Sequence, residues 1–389
     1  MCFQQETDPE SGRNILPGLL PVSGSAVFHV LSVRTPFTGS EGRRSIFTRR
    51  VRKMNMYDIA RETGFSIATV SRAINNSGYV SEKTRAKIMK VIDEKGYSVN
   101  PFAKGMATST MSLAGVISTD SRDMYQAECI YHLQNALRQE GFTALLCCTG
   151  LDLKDKQEAI RLLLSRNVDA IFLIGSQFVE NTSKENMYLL EAARKVPVIL
   201  MNGHLDYPNV YCIRCDDAKG QKELTETVLK GGARKPLFLI RRTTYSTREK
   251  VRGYQEACKA FGLEQQPVVL VTPPSIADYA SLAEDLSHME FDALLCADDE
   301  LAIAALKYCR QHNLRVPEDV QITGYNNSLL SDLPAQEITS YDNRIEYLCS
   351  TSVLCMKSVL DKKAYPSESV YSGLLSRKLT TNSNEPEAE

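Results

Sequence analysis

Residues 56–108 read MYDIARETGFSIATVSRAINNSGYVSEKTRAKIMKVIDEKGYSVNPFAKGMAT, and their apolar, small and turn residues are spaced for three short helices and a tail. The spacing predicts a first helix over Tyr57–Thr63 that buries Ile59 and Ala60. Gly64 then supplies the backbone freedom of a tight turn, and Ser66 can cap the next helix. That second helix, Ile67–Ile74, turns Val70, Ala73 and Ile74 inward and leaves Ile67, Ala68, Thr69, Ser71 and Arg72 outward. A packed domain gains little from such a mixed face. A DNA major groove uses it, because Thr and Ser bond phosphates or base edges, Arg takes a guanine, and Ile or Ala touches a thymine methyl. Ser81 starts the third helix behind a Val80 staple, Ile88, Val91 and Ile92 face the core, and Gly96 ends it.

Asp58-Ile59-Ala60, Gly64, Ser66, Thr69-Val70-Ser71-Arg72, Asn75, Val80-Ser81, Thr84-Arg85, Gly96-Tyr97 and Asn100 stand at the separations of a known headpiece. The stretch resembles the DNA-binding headpiece of the lactose repressor/galactose repressor (LacI) family. The resemblance implies a double-stranded DNA operator contacted by Tyr57, Ser66, Ile67, Ala68, Thr69, Ser71, Arg72, Asn75, Tyr97, Asn100, Ala103, Lys104 and Met106. Within that set Ile67, Ala68 and Arg72 are expected at base edges, and Thr69 and Ser71 at phosphates. Residues 100–110 correspond to the family's hinge, which folds on DNA and wedges a leucine pair into the minor groove. Met106 stands at that place here. Methionine can still wedge a base step but is more flexible, and Gly105 beside it costs helix roughly 1 kcal/mol, so a looser hinge is expected.

Charge is unevenly spread along the 389 residues. Residues 1–53 carry eight Lys/Arg against four Asp/Glu (+4), residues 54–108 eight against five (+3), and the remainder 30 against 38 (−8). A basic end on an acidic body suits a chain of which one module meets phosphate. Residues 1–53 hold no lasting helix or strand pattern and are expected to be a disordered or non-native extension, with Met54 or Met56 as the natural start. No run reaches the length of a membrane span, so no membrane partner is expected. Eleven scattered cysteines fit buried thiols in a reducing, cytoplasmic setting. Cys212 and Cys215 form a lone CxxC within a strand, a poor metal site, and no cofactor or metal is expected.

From residue 111 short apolar runs alternate with amphipathic stretches. Strands are expected at Leu113–Ser118, Ala144–Cys148, Ala170–Ile174 and Val198–Met201, and again, after Val210–Arg214, at Leu237–Ile240, Val268–Val271, Ala293–Cys296 and Gln321–Thr323. Helices fall between them, one of them over Tyr279–Ser287. The fold class is therefore an N-terminal all-α helix-turn-helix headpiece (54–99) plus an α/β body (111–379) of two Rossmann-like lobes facing across a cleft. That body resembles the periplasmic-binding-protein fold. The resemblance implies a small, sugar-like effector held at Asp120, Tyr125, Ser176, Asn202, Arg248, Lys250, Asp299 and Asn326. Lys250 stands where the family usually has an arginine, and Arg248 is the candidate substitute. Pro273 and Asn326-Asn327 also depart from the family pattern.

Crossings between lobes are expected near Arg214–Asp216, Thr339–Asn343 and Ala364–Ser367, with a closing strand at Val370–Leu375 and a disordered acidic tail at 380–389. That tail is too short to resemble the tetramerising zipper of some members of the family, so the resemblance implies a homodimer over a tetramer. No catalytic motif occurs among GxSxG, Gly-rich phosphate loops and HExxH. Asp298-Asp299 could be paired carboxylates, which leaves a carbohydrate-active α/β enzyme as one alternative to a non-enzymatic regulator. A sugar-binding receptor with a helical appendage is the other.

Overall fold

The computed structural model describes residues 54–75, 78–95, 97, 110–263, 266–271, 282 and 286–382. Two compact units divide at Tyr97/Ser98. The first contains three helices, α1 (Met56–Thr63), α2 (Ile67–Asn75) and α3 (Glu82–Glu94). Asn55 caps α1 in a reciprocal capping box with Asp58, and Gly64 ends it at φ 75°, a conformation that costs glycine nothing. Ile59, Val70, Ala73, Ile88 and Ile92 form the buried core; Ala60, Ile74 and Val91 pack at its margin. Arg85 of α3 donates through Nη1 to the Ala73 carbonyl at 2.8 Å, tying α3 to α2. Gly96 and the segment 98–109, including the expected hinge, lie outside the described residues, as do residues 1–53.

The second unit has two parallel sheets that share one cleft, and a two-stranded antiparallel sheet beside them. The strands are β1 (Leu113–Ser118), β2 (Thr143–Cys148), β3 (Ala170–Ile174), β4 (Val198–Met201), β5 (Val210–Cys215) and, from far along the chain, β11 (Glu368–Tyr371). They run parallel in the order β11-β5-β4-β3-β1-β2. Around this first lobe pack α4 (Met124–Gln139), α5 (Leu153–Ser165), α6 (Met187–Ala193) and α11 (Ile345–Leu360). β3 is apolar at every position and buried throughout, as a central strand covered on both faces must be.

The second lobe is a parallel four-stranded sheet, β7-β6-β8-β9, from β6 (Pro236–Ile240), β7 (Val268–Leu270), β8 (Ala293–Cys296) and β9 (Gln321–Thr323). Its helices are α7 (Asp217–Lys230), α8 (Tyr245–Ala260), α9 (Asp299–Gln311) and the short α10 (Leu329–Asp332). α7 and α8 touch so closely that a Cβ on Gly253 would lie 1.9 Å from the Ala218 carbonyl oxygen. Leu282 and Leu286, from the expected Tyr279–Ser287 helix, are helical and buried; most of that stretch lies outside the described residues.

Three passages join the lobes. The first, Cys215 to Asp217, lies where it was expected; the second follows β10 (Ser340–Asp342) through Asn343–Arg344 into α11. The third is displaced. The expected closing strand Val370–Leu375 is two strands, β11 in the first lobe's sheet and β12 (Leu374–Ser376) antiparallel to β10, so the crossing falls at Ser372–Gly373 and not at 364–367. The expected disordered tail is also corrected for its first residues. Thr380 is buried, its carbonyl accepts from the Ile322 N–H at 2.9 Å, and its hydroxyl donates to the Ile322 carbonyl at 2.7 Å. Asn382 N–H donates to Gln321; residues 383–389 lie outside the described residues.

Candidate functional site

Two surfaces carry chemistry. On the headpiece, α2 puts Val70 and Ala73 inside, which leaves Ile67 (40% exposed), Ala68 and Arg72 outside. Ser66 Oγ accepts from the Thr69 N–H at 3.2 Å and pairs with the Thr69 hydroxyl at 2.9 Å, which fixes the first turn. Tyr57 is 67% exposed, whereas Tyr97 packs partly against the core and Ser71 is half-buried. Asn75 ends α2, and Asn100, Ala103, Lys104 and Met106 lie outside the described residues. Sequence reasoning passed over Tyr79, 93% exposed in the turn after α2. An aromatic beside Gly78 in a polar turn was the available signal.

The body's cleft holds a cavity of about 130 Å³ between the carboxyl ends of both sheets. Of the expected effector residues, Tyr125, Ser176, Asn202, Lys250, Asp299 and Asn326 line it. Asn202 joins the set through its Nδ2, which donates to the Tyr125 hydroxyl at 2.9 Å, while its Oδ1 accepts from the Cys215 N–H. Asp120 and Arg248 do not line the cavity. Asp120 is held aside by Arg122, which grips both carboxylate oxygens at 3.0 and 2.9 Å. Arg248 is exposed, because it sits about 100° around α8 from Thr247, which does line the cavity.

Lys250 is buried. Its Nζ donates to the Ala297 carbonyl at 2.8 Å and lies 3.5 Å from the centre of the Tyr325 ring. Burial holds its ammonium below the ordinary lysine range, and burial pushes the neighbouring Asp217 up; Asp217 also accepts from the Tyr325 hydroxyl at 2.9 Å. Asp299, 2% exposed, accepts from Ser340 Oγ at 2.6 Å, Ser328 N–H at 2.7 Å and Ser328 Oγ at 2.8 Å. Burial nevertheless pushes its carboxyl up to about 6.

The sequence reading missed the charged rim. Arg241, at the end of β6, donates through Nε to Asp298 Oδ2 at 2.9 Å and through Nη1 to Glu300 Oε2 at 2.7 Å. Its Nη2 reaches Asp123 of the first lobe at 3.9 Å. Asp298 itself caps α9, its side chain accepting from the Leu301 N–H. Across the cleft the Ser246 N–H donates to Ser176 Oγ at 3.4 Å. Among the described residues no His/Cys/Asp/Glu group is arranged to hold a metal. Cys212 and Cys215 pack into separate cores.

Residues 55–100 match the family described as bacterial regulatory proteins, lacI family, and residues 112–345 match periplasmic binding proteins and sugar binding domain of LacI family. The chain belongs to the LacI family. It is 39% identical over 332 residues to an HTH-type transcriptional regulator of Lachnoclostridium phytofermentans, covering 85% of this chain and all of that one. It is 27% identical over 312 residues to the HTH-type transcriptional repressor PurR of Aliivibrio fischeri, covering 78% and 91%. In fold it is similar to the lac repressor dimer bound to operator and the anti-inducer ONPF (TM-score 0.75, 19% identity, 85% and 100% coverage). A CelR–cellobiose complex is also similar (TM-score 0.60, 22% identity, 84% and 99% coverage). This LacI-family chain is thus a transcriptional regulator with a DNA-binding headpiece and a periplasmic-binding-protein-like body. No helix among its described residues is long and apolar enough to cross a membrane.

Proposed function

We propose that the protein works as a cytoplasmic homodimeric repressor, two headpieces reading a near-palindromic operator while a small sugar-like effector in the cleft sets DNA affinity. It acts by binding and not by turnover. The observation that carries the reading is the pairing of an outward α2 face, Ile67, Ala68 and Arg72 over a Val70–Ala73 core, with a polar cavity between two lobes. α2 enters the major groove, the residues at 100–106 brace the centre of the operator, and effector binding shifts the angle between lobes, which changes the grip on DNA. At about 130 Å³ the cavity is smaller than the roughly 300–1,000 Å³ of drug-sized pockets, which favours a ligand of single-ring size.

Dimerisation is supported by β2. It is an edge strand of the six-stranded sheet, with Leu146 47% exposed, and Leu162 and Tyr131 of the same lobe are 48% and 65% exposed. An apolar uncovered edge calls for a partner, and a second copy of the chain covers it. Selection of bound sequences from a random duplex pool tests the whole reading. A two-fold-symmetric consensus with salt-sensitive affinity, lost on Leu146→Glu together with the dimer in sedimentation, is the expected result; binding without sequence preference would overturn it.

A further inference from the structure

Taking the cleft as the effector site, its wall says which ligands suit it. Among the described residues five carboxylates line the cavity, Asp123, Asp217, Asp298, Asp299 and Glu300, against three cations, Arg241, Arg242 and Lys250. Arg241 is committed to Asp298 and Glu300. Lys250 is committed to the Ala297 carbonyl, the Tyr325 face and the charge of Asp217. Arg242 is opposed by Asp120 and Asp123, whose ionised forms its charge favours. An incoming anion therefore meets a surplus of negative charge in a setting of low dielectric, where repulsion is poorly screened.

Acceptor capacity, by contrast, stands open. Glu300 meets Arg241 through Oε2, and Asp123 gives Oδ1 to the Gln126 N–H while Oδ2 stays 3.9 Å from Arg241. Asn343 is the sharpest case. It is 1% exposed, lines the cavity at the passage from β10 to α11, and donates through Nδ2 to Asn326 Oδ1 at 2.9 Å. Its own Oδ1 is buried with no hydrogen-bond partner. A buried acceptor without a partner is costly, and a ligand hydroxyl that donates to it removes that cost.

We infer that the cleft selects a ligand rich in hydroxyl or amine donors and bearing no phosphate or carboxylate, with Asn343 Oδ1 taking one ligand proton. The inference rests on the effector-site reading above, and one experiment separates the two. The full chain is titrated by thermal shift and calorimetry with free and aminated mono- and disaccharides, each beside its phosphate ester and its uronic acid. Stabilisation is expected from the free or aminated series, with the ester of any binding sugar about 100-fold weaker. Glu300→Gln, which removes one negative charge at constant size, narrows that gap about tenfold. Asn343→Ala weakens the parent sugar about tenfold, whatever the lost Nδ2 bond to Asn326 does to the ligand-free melting temperature. Unchanged affinity would make Asn343 purely structural and overturn its part in the inference. An ester or uronate binding more tightly than its parent overturns the inference and leaves the effector site standing. Stabilisation by neither series overturns the effector-site reading and the inference with it.

Discussion

Asp299→Asn puts a number on the buried carboxylate of the cleft. The folded carboxyl lies at about 6, against about 3.9 in an unfolded chain. A raised acid holds its proton in the folded state through a window where the unfolded chain has lost it. Its contribution to stability is therefore fully present below about pH 4 and is lost as pH rises through 6. Roughly two units at about 1.4 kcal/mol each make that loss about 3 kcal/mol by pH 7. Asparagine has no charge to lose, so the variant escapes it. The variant has its own defect, because its NH2 group confronts donors: Ser328 N–H on one oxygen's side and the Ser340 hydroxyl on the other, worth about 1–3 kcal/mol. Near pH 4 the variant should be the less stable protein by that defect. At pH 7 the deficit should shrink by about 3 kcal/mol, enough to cancel or reverse it. Denaturant unfolding of both proteins at the two pH values, in matched salt, reads the difference directly. A deficit that stays constant, or grows with pH, refutes the burial argument.

Arg72→Ala should cost specific operator affinity about 1–3 kcal/mol per half-site and leave ligand binding unchanged, measured by anisotropy beside calorimetry; equal losses in both would contradict the division of labour between headpiece and body. Lys250→Met leaves Asp217 buried without its counter-charge, at a cost of about 3–5 kcal/mol. Adding Asp217→Asn should recover most of that, and a double variant no more stable than the single would show the two side chains to be uncoupled. Gly253→Ala drives a methyl into the Ala218 carbonyl and should destabilise by about 3 kcal/mol, the upper end of the overpacking range, read as a lowered melting temperature.

The strands of the body were legible because parallel strands buried on both faces are near-continuous apolar runs. Ala170–Ile174 and Ala293–Cys296 coincide with β3 and β8 to the residue. Helix starts are harder to read where a polar cap outweighs apolar spacing: α7 begins at Asp217 under the Asp216 cap, before the apolar pattern declares itself. The split at Ser372–Gly373 had a signal, a glycine inside an apolar run; a Cβ there would sit 2.2 Å from the Asp342 carbonyl oxygen. The cavity lining was legible where a residue lies within two positions of a strand's carboxyl end, as Ser176 and Asn202 do. It was illegible where tertiary charge decided the outcome. Asp120 follows β1 just as well, but a guanidinium two residues on claims it. Arg241 carries no signal in the sequence, and only the fold brings Asp123, Asp298 and Glu300 to it. Nothing in the sequence around Asn343 could show that one of its atoms lacks a partner.

The three crossings also set the order in which a growing chain can be completed. β5 spans Val210–Cys215, yet its outer neighbour β11 pairs with it only once Glu368–Tyr371 exist. β9 likewise waits for Thr380 to meet Ile322. Until the final segment leaves the ribosome, both lobes carry an unpaired strand edge, and the first lobe lacks the α11 side chains Leu348, Val353 and Met356 that close its core. Such edges and apolar surface are what chaperones and aggregation compete for. A stop codon near residue 340 would spare every headpiece residue and most of the cleft, and still yield a chain that neither lobe can finish.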